Sequence, residues 1–494
     1  MKQAHTHDPI QFWSRIAPDR LALRHGDRIF TYGNLEGAVQ ESADAFLAQG
    51  LGAGEHVSLE FDPTHSLNFA IALHALHRVG LLPVPIGATL TADERQERRR
   101  KAMVDLVLTG ESIEPSMPSA ATTTAAQVVG LGDSPPLLRD LDVPAALCFT
   151  SGTTGEPRAA LLTHGNFFWS AIGSARNLGV RAEDLWLSCM PLHHVGGLSI
   201  LTRSAAYGTG VLIHETFDAN AVNEAIDREG VTLISLVPPM LERLLKARGG
   251  RLFPTTLRAG LIGGGPIPPA LLEEAADLRF RALPTYGLTE AASQVTTLSI
   301  REWPAGLSSA GRPLQFTRVE LRDESNRAVE PGVEGEILVQ GPTVMAAYFE
   351  DRATNAAAWD GRWLRTGDVG AWDAAGRLVV LDRRADRFVV GGENVSPDEV
   401  ERILRSHPSV ADVGVVGLPS GAWGHEVTAV VTLHPGATLT LDALTEHARS
   451  ALSSFKLPRR LVLAPSLPRG ASGKLLRRAL LDRIRNQVAL EEAT

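Results

Sequence analysis

Residues 212–278 read LIHETFDANAVNEAIDREGVTLISLVPPMLERLLKARGGRLFPTTLRAGLIGGGPIPPALLEEAADL, and the alternation inside this stretch decides the fold class. Leu212–His214, Leu233–Leu236 and Leu257–Ile262 are short apolar runs of strand length. Between and after them, Ala221–Arg228, Met240–Arg248 and Leu271–Leu278 set apolar residues three and four apart, the spacing of a helix with one buried face. Strands that alternate with helices predict an α/β fold around a parallel sheet, because each crossover helix carries the chain back to start the next strand in the same direction.

The same reading extends outward. Val57–Phe61 is a short apolar run, and Leu67–Leu82 repeats apolar residues at threes and fours, which predicts a helix. Glu94–Lys101 (ERQERRRK) is a charge run, read as a solvated helix face in preference to a basic partner site. Val104–Thr109 and Ala145–Phe149 read as strands, and residues 114–126, rich in Ser, Thr, Pro and Ala, as a loop. After about Ser308 the pattern changes to short strands, Val319–Asp323, Gly335–Gln340 and Leu378–Leu381, with Gly and Pro between them, which predicts a β-rich subdomain. From Pro397 a smaller α+β pattern follows: helix Asp398–Ser406, strands Val410–Gly417 and Val427–Leu433, and helix Leu441–Leu452. A boundary falls near Arg383–Asp386, where arginines and aspartates separate two apolar strands.

Composition bounds the class. The chain has 494 residues, which at roughly 150 per unit gives about three structural units. Apolar residues make up 44% and charged residues 21%, ordinary for a globular protein and unlike disordered, collagen-like or coiled-coil chains. Forty-eight basic against fifty-six acidic residues give a formal charge of −8, which argues against a nucleic-acid binder. Cys148 and Cys189 are too few for a disulfide framework and fit a reducing cytoplasm. The opening MKQAHTHDPIQFW lacks the apolar stretch of a signal peptide, and no run approaches ~18 uninterrupted apolar residues. The expectation is a soluble cytoplasmic protein. Lysine is scarce, at Lys2, Lys101, Lys246, Lys456 and Lys474, so each one kept hints at a need for a compact ammonium.

Five segments carry candidate chemistry. Thr150–Arg158 (TSGTTGEPR) follows an apolar strand, and its glycines and hydroxyls would turn backbone N–H and side-chain O–H donors toward a phosphate chain. It lacks the Walker spacing, and a flexible Gly/Ser/Thr loop is the plain alternative. Gly263-Gly264-Gly265-Pro266 closes the run Leu257–Ile262, where glycines admit either a nucleotide base or a tight turn. Tyr286-Gly287-Leu288-Thr289-Glu290 offers an aromatic face, a hydroxyl and a carboxylate suited to Mg²⁺. Asp368 in Thr366-Gly367-Asp368 has a carboxylate able to accept from ribose hydroxyls. Lys474 in Gly470-Ala471-Ser472-Gly473-Lys474 can reach a phosphate as a point charge, or be an exposed surface lysine. Cys189, His193 and His194 do not match zinc-ligand spacing, and G-x-S-x-G, H-E-x-x-H and C-x-x-C are absent.

Taken in order, TSGTTGEPR, YGLTE, TGD, DRRADRFVVGGENVSPDEVE and ASGKLLRR resemble the adenylate-forming superfamily of acyl-CoA synthetases, luciferases and peptide-synthetase adenylation domains. The resemblance covers about Asp19 to Leu480. Within the superfamily, PLHHVGGLSIL, GGGPIPPALLE, YGLTEAASQ and VLDRRADRFVVGGENVSP are most similar to the o-succinylbenzoate–CoA ligases of menaquinone biosynthesis. The resemblance implies a large N-terminal adenylation domain (1–382) of α/β subdomains plus a β-rich one, a hinge (383–386) and a small mobile α+β lid (387–494). It implies ATP and CoA as substrates, Mg²⁺ as cofactor, and two half-reactions: acyl-AMP with pyrophosphate, then acyl-CoA with AMP. The alternatives are another aryl- or fatty-acyl-CoA ligase, a stand-alone loader of a carrier protein, and, least favoured, an ATP-binding regulator. Nucleic-acid and membrane partners are not expected, and a homodimer is left open.

By the same resemblance, Lys474 would bridge carboxylate and α-phosphate oxygens. Thr150, Ser151, Gly152, Thr153, Thr154, Gly155 and Arg158 would hold phosphates, with Thr289 adding a hydroxyl and Glu290 anchoring the metal. Tyr286 with Gly287, and Gly264, Gly265 and Pro266, would sandwich adenine, while Asp368 and Arg383 hold the ribose. His194, Gly197, Leu198, Ser293 and Gln294 would line the acyl pocket, and Gly391, Gly392 and Glu393 a pantetheine tunnel. The chain departs from the family pattern at Glu156, where a lysine is usual, and at Ala385, where the hinge commonly carries Asp or Lys. A small residue there still permits rotation. No arginine stands out in the sequence as the partner of a second substrate carboxylate.

Overall fold

The computed structural model describes residues 4–110, 136–151, 157–383, 386, 388–390, 393–420, 424–449, 451–452, 454–470 and 475–492. The loop expected over residues 114–126 lies outside this set. The chain divides into two compact units. The first holds the described residues of Met1–Gly152, Glu156–Val319 and Val339–Arg365, and the second those of Glu320–Leu338 and Thr366–Thr494.

A nine-stranded sheet organises the first unit. Six neighbouring strands run parallel, in the spatial order Leu21–His25, Gly210–Ile213, Leu185–Ser188, Leu233–Leu236, Ala259–Ile262 and Ala282–Leu288. Antiparallel strands close both edges: Arg28–Thr31 on one, Ser293–Thr297 and Arg312–Pro313 on the other. Leu185–Ser188, Gly210–Ile213, Leu233–Leu236 and Ala259–Ile262 are buried along their whole length, which explains their unbroken apolar sequences. A two-stranded pairing of His5–His7 with Leu138–Asp140 and two three-stranded sheets accompany it among the described residues of the unit. One of the latter pairs Leu82–Pro85, His56–Leu59 and Leu106–Leu108 in parallel, and the other pairs Ala347–Tyr348, Pro157–Thr163 and Pro144–Ser151.

Local chemistry sets the element ends. Helix Ala219–Arg228 starts at Asp218, whose carboxylate accepts from the Asn220 and Ala221 N–H groups at 3.0 and 2.8 Å. Helix Pro238–Arg248 opens on two prolines and stops at Gly249, which takes φ 61°. The helix expected over Leu67–Leu82 spans Ser66–Val79 instead. Gly80 ends it at φ 75°, and Leu82 begins a strand, so one apolar run serves two elements. The charge run forms a largely solvated helix, as expected. Helix Ala92–Lys101 buries no residue fully, yet Arg99 grips the buried Glu60 with two 2.5 Å hydrogen bonds, and Arg98 lies 5.8 Å from the ring centre of Phe149.

In the second unit, strand Leu378–Arg383 pairs antiparallel with Asp368–Trp372. A further sheet orders Glu393–Val395, Phe388–Val390, Gly424–Leu433 and Val410–Ser420, with Arg460–Leu463 parallel to Gly424–Leu433. Helices Pro397–Leu404 and Leu441–Arg449 cover its core of Val390, Val395, Val413, Val415, Val427 and Val431. The buried Arg477 binds Asp398 and Glu401 and donates to the Val415 carbonyl at 2.7 Å. Its guanidinium also stands 3.5 Å from Asp386.

Near the N-terminus the first unit buries a charged knot. Arg78 reaches Asp8 at 3.1 Å and Glu36 at 2.7 Å, and Arg139 pairs the same Asp8. Burial alone would raise the Asp8 carboxyl, but Arg139 and Arg78 outweigh it and hold it well below the usual range. His74 lies in the field of these groups, and burial, reinforced by Arg139, pushes its imidazole down to about 3. The unfolded chain therefore binds the His74 proton below about pH 6.5 while the folded chain refuses it, so stability falls as pH drops from 6.5 toward 3. Replacing His74→Leu should remove about 1.4 kcal/mol per pH unit from that slope. Urea midpoints of both proteins at pH 7.5, 6 and 5 measure it, and parallel pH profiles would contradict the assignment.

Candidate active site

The spatial order of the parallel strands reverses at Leu185–Ser188. The chain leaves this strand for its neighbour Gly210–Ile213 on one side, then crosses to Leu233–Leu236 on the other. A crevice opens beyond the carboxyl ends of the strands at such a reversal. The residues that follow those ends are Cys189–His194, Val237, Gly263–Pro266 and, at the end of Ala282–Leu288, Thr289 and Glu290. Two of the five candidate segments, together with His194, are thus delivered to one end of one sheet.

Backbone geometry explains several of the glycines there. Gly264 adopts φ +82°, and a Cβ on it would sit 3.3 Å from Val237 Cγ1. At Gly287 a Cβ would lie 1.7 Å from the Ser293 carbonyl oxygen, where the register shifts between Tyr286 and Gly287. The following turn holds Ala292 at φ 50° and Ser293 at φ 96°, a costly conformation for residues with a side chain. Gly197 packs so close to the Pro191 carbonyl that a Cβ would come within 2.4 Å of its oxygen. Tyr286, Leu198 and Gln294 are buried, whereas Gly264, Pro266 and Gly287 are exposed. Thr289 and His194 are half-buried.

Thr150–Arg158 belongs to an antiparallel hairpin, with Thr150 opposite Arg158 and Ser151 opposite Pro157. Gly152, Thr153, Thr154 and Gly155 lie outside the described residues. Lys101 anchors the returning strand by donating to the Pro157 carbonyl at 3.3 Å. The short helix Thr289–Ala291 packs on both strands of the hairpin. Tyr348 ties the parts together: its hydroxyl donates to Glu290 Oε1 at 2.7 Å, and the Arg158 guanidinium lies 5.8 Å from its ring centre. Burial and the Glu290 charge raise the Tyr348 phenol, so it stays a donor at neutral pH. The other Glu290 oxygen meets no donor among the described residues. Mg²⁺ is commonly held by one or two carboxylates together with substrate phosphates, so one oriented carboxylate beside this hairpin fits that ion.

Sequence reasoning missed Tyr348 and also Arg203. Helix Val195–Tyr207 begins after His194 and packs against both Leu185–Ser188 and Ser293–Thr297. These elements and His194, just ahead of the helix, carry buried polar atoms without a hydrogen-bond partner among the described residues: Ser188 Oγ, His194 Nε2, Arg203 Nε and Nη2, Gln294 Oε1 and Thr296 Oγ1. Such atoms are rare in folded proteins, and a group of them asks for a polar ligand. Arg203 is only 2% exposed, lies 5.3 Å from the ring centre of Trp186 and forms no ion pair among the described residues. Burial lowers both His193, to about 3, and His194, with Arg98 adding to the effect, so both imidazoles are neutral at pH 7.

The second unit carries the remaining candidates. Asp368 is the register partner of Arg383, and its N–H donates to Thr366 Oγ1 at 3.1 Å. Glu393 opens a strand opposite Val390. Lys474, Ala385, Gly391 and Gly392 lie outside the described residues, although Arg469 and Leu475, which flank Lys474, form an antiparallel bridge.

Because Tyr348 orients Glu290, Tyr348→Phe should raise the Mg²⁺ concentration needed for half-maximal pyrophosphate release by about tenfold or more. An unchanged Mg²⁺ dependence would show that Glu290 needs no such support.

Comparison with known proteins agrees with this geometry. The AMP-binding enzyme family model matches residues 11–349, and the AMP-binding enzyme C-terminal domain matches residues 399–474. The 2-succinylbenzoate–CoA ligase of Bacillus cereus is 36% identical over 469 residues, covering 94% of this chain and 96% of the relative. The o-succinylbenzoate CoA synthetase of Bacillus subtilis, solved in complex with its acyl-adenylate intermediate, superposes with a TM-score of 0.87 at 35% identity, covering 97% of this chain and 98% of the other. Its complex with ATP and magnesium ion gives a TM-score of 0.87 at 33% identity, covering 97% of this chain and 100% of the other. The chain belongs to the AMP-binding enzyme family.

Proposed function

We propose that the chain is a cytoplasmic acid–thiol ligase that activates o-succinylbenzoate with ATP and transfers it to CoA. The observation that carries the substrate is Arg203, a buried cation with no anionic partner among the described residues, set in a group of unsatisfied polar atoms. A buried charge left unpaired is costly, so a substrate with a second carboxylate supplies what the fold lacks. o-Succinylbenzoate has one carboxylate to be activated, a second on an aromatic ring, and a ketone between them. The ring carboxylate pairs with Arg203, and neutral His194 and Gln294 serve the remaining polar groups, while Gly197, Leu198 and Ser293 shape the slot. The names of the B. cereus and B. subtilis relatives support the same acid.

The reaction needs activation because a free carboxylate has no leaving group other than oxide. Its oxygen attacks the α-phosphorus of ATP, the α–β bond breaks, and pyrophosphate departs. The thiolate of CoA then attacks the acyl carbon, and AMP leaves with the oxygen that came from the acid. Two anions must meet in the first step, so aligned donors and positive charge carry most of the burden. Thr150, Ser151, Gly152, Thr153, Thr154, Gly155, Arg158 and Thr289 hold the phosphates. Glu290 holds Mg²⁺, which when bound neutralises charge on the phosphate oxygens. Tyr286 and Gly287, with Gly264, Gly265 and Pro266, enclose the adenine, and Asp368 and Arg383 take the ribose hydroxyls. Lys474 bridges the reacting oxygens. The lid 387–494 then turns about 383–386, with Ala385 absorbing the change, to withdraw Lys474 and bring Gly391, Gly392 and Glu393 to the pantetheine arm. All the proposed groups lie in one chain, so the chemistry requires no second subunit. Among the described residues no helix is long and apolar enough to cross a membrane.

Pyrophosphate release with o-succinylbenzoate, benzoate, a medium-chain fatty acid and malonate, with and without CoA, tests the reading. o-Succinylbenzoate should lead the panel by orders of magnitude in kcat/KM. Arg203→Met should cut that value about a hundredfold or more while sparing any turnover of benzoate. A wild-type preference for another acid, or an equal loss on both acids, would refute the substrate. Lys474→Ala should abolish adenylate formation and leave thioester formation from preformed acyl-adenylate largely intact. Equal loss of both halves would refute the exchange of lid residues.

A further inference from the structure

The opposite end of the same parallel sheet carries a second cavity. A cleft of about 1120 Å³ lies beside Arg258 and Arg281, the residues just ahead of strands Ala259–Ile262 and Ala282–Leu288. The last turn of helix His164–Leu178 and the edge strand Arg312–Pro313 complete its walls. The candidate active site lies beyond the carboxyl ends of these strands, so the cleft is separate from it.

We propose that this cleft binds a small anion bearing a chain of two or more phosphates. Arg176, Arg181, Arg281 and Arg301 all line it, and none of them forms an ion pair among the described residues. Glu302 is the one carboxylate in the wall, and it is already engaged by Arg312 at 3.1 Å and by the Ser299 hydroxyl at 3.1 Å. Arg258 contributes rigidity and no free charge. It binds both oxygens of the buried Asp184 at 2.7 and 2.6 Å and the Leu178 carbonyl at 2.7 Å, which fixes the helix end to the starts of two strands. Four uncompensated cations therefore face one concavity in a chain whose formal charge is −8.

A second observation points the same way. Asn177 Nδ2, in the same wall, is a buried donor without a partner among the described residues. Guanidinium groups and this amide N–H can only donate, so the occupant must present acceptor oxygens and several negative charges. Arginine forks match phosphate oxygens in pairs, and a phosphate chain concentrates three or more charges within the reach of four side chains. The concave walls select a small molecule over a lipid surface or a nucleic-acid duplex, which need flat or extended contact. Pyrophosphate, the product of the proposed first half-reaction, is one source of this chemistry, and a nucleoside triphosphate is another.

Calorimetric titration of the whole protein with inorganic tripolyphosphate, at low and high salt, tests the site. The proteins compared are wild type, Arg176→Gln/Arg301→Gln, Arg176→Lys/Arg301→Lys and Thr289→Ala. One binding event should weaken at least tenfold in the Gln pair, recover in the Lys pair and persist in Thr289→Ala. The Gln pair should keep wild-type ATP–pyrophosphate exchange, which also shows that it folds. Parallel titrations with pyrophosphate and ATP then identify the source. An isotherm unchanged in the Gln pair, a binding event lost only in Thr289→Ala, or citrate binding as tightly as tripolyphosphate would each overturn the proposal.

Discussion

From strand Leu185–Ser188 the chain passes to the neighbouring strand on one side and then crosses back to the neighbour on the other, and this reversal is the constraint on which the candidate site rests. Helices on either side of a reversal cannot close over the carboxyl end of the strand, so a crevice is left there by topology. The segment Cys189–His194 emerges into it, and the ends of the next strands bring Gly264, Tyr286 and Glu290 alongside. Close packing then fixes the detail. Gly197 against Pro191 and Gly287 against Ser293 leave no space for a side chain, and Gly264 takes a positive φ, which together hold the surrounding backbone in one arrangement.

Electrostatics within that crevice is arranged for anions. Carboxylate and triphosphate repel, and the protein must supply positive charge without quenching it beforehand. In the proposed reaction Arg203 meets this requirement, because its helix buries it away from any carboxylate among the described residues. The two histidines contribute no competing charge, since burial keeps them neutral. Glu290 is the negative element, and its geometry is set by Tyr348 at 2.7 Å. Glu290 depends on a partner that lies far away in sequence, since Tyr348 is 58 residues from it.

That distance explains what could and could not be read from the chain. Leu233–Leu236 is a strand over the expected residues, because a fully buried parallel strand announces itself as an unbroken apolar run between turn signals. The first long helix was extended too far, since Gly80 and the strand that begins at Leu82 continue the same apolar pattern. The ERQERRRK helix is solvated as its charges announce, but the grip of Arg99 on Glu60 is not legible, because that acceptor is 39 residues away. The glycines and hydroxyls of Thr150–Arg158 suggest a loop, but the pairing of the strands on either side, Pro144–Ser151 and Pro157–Thr163, is not legible in them, because it depends on the fold. Arg203 left one faint sign, a lone arginine in the apolar stretch Leu198–Tyr207. Burial is what separates it from a surface arginine, and burial is a property of the fold.

The central claim is chemical: the acid is activated through its own oxygen at the α-phosphate. o-Succinylbenzoate labelled with ¹⁸O in its carboxylates, turned over with unlabelled ATP and CoA, tests this directly by mass spectrometry of the products. The account predicts one ¹⁸O atom in each AMP and none in pyrophosphate. Label appearing in pyrophosphate or inorganic phosphate, or AMP free of label, would contradict it.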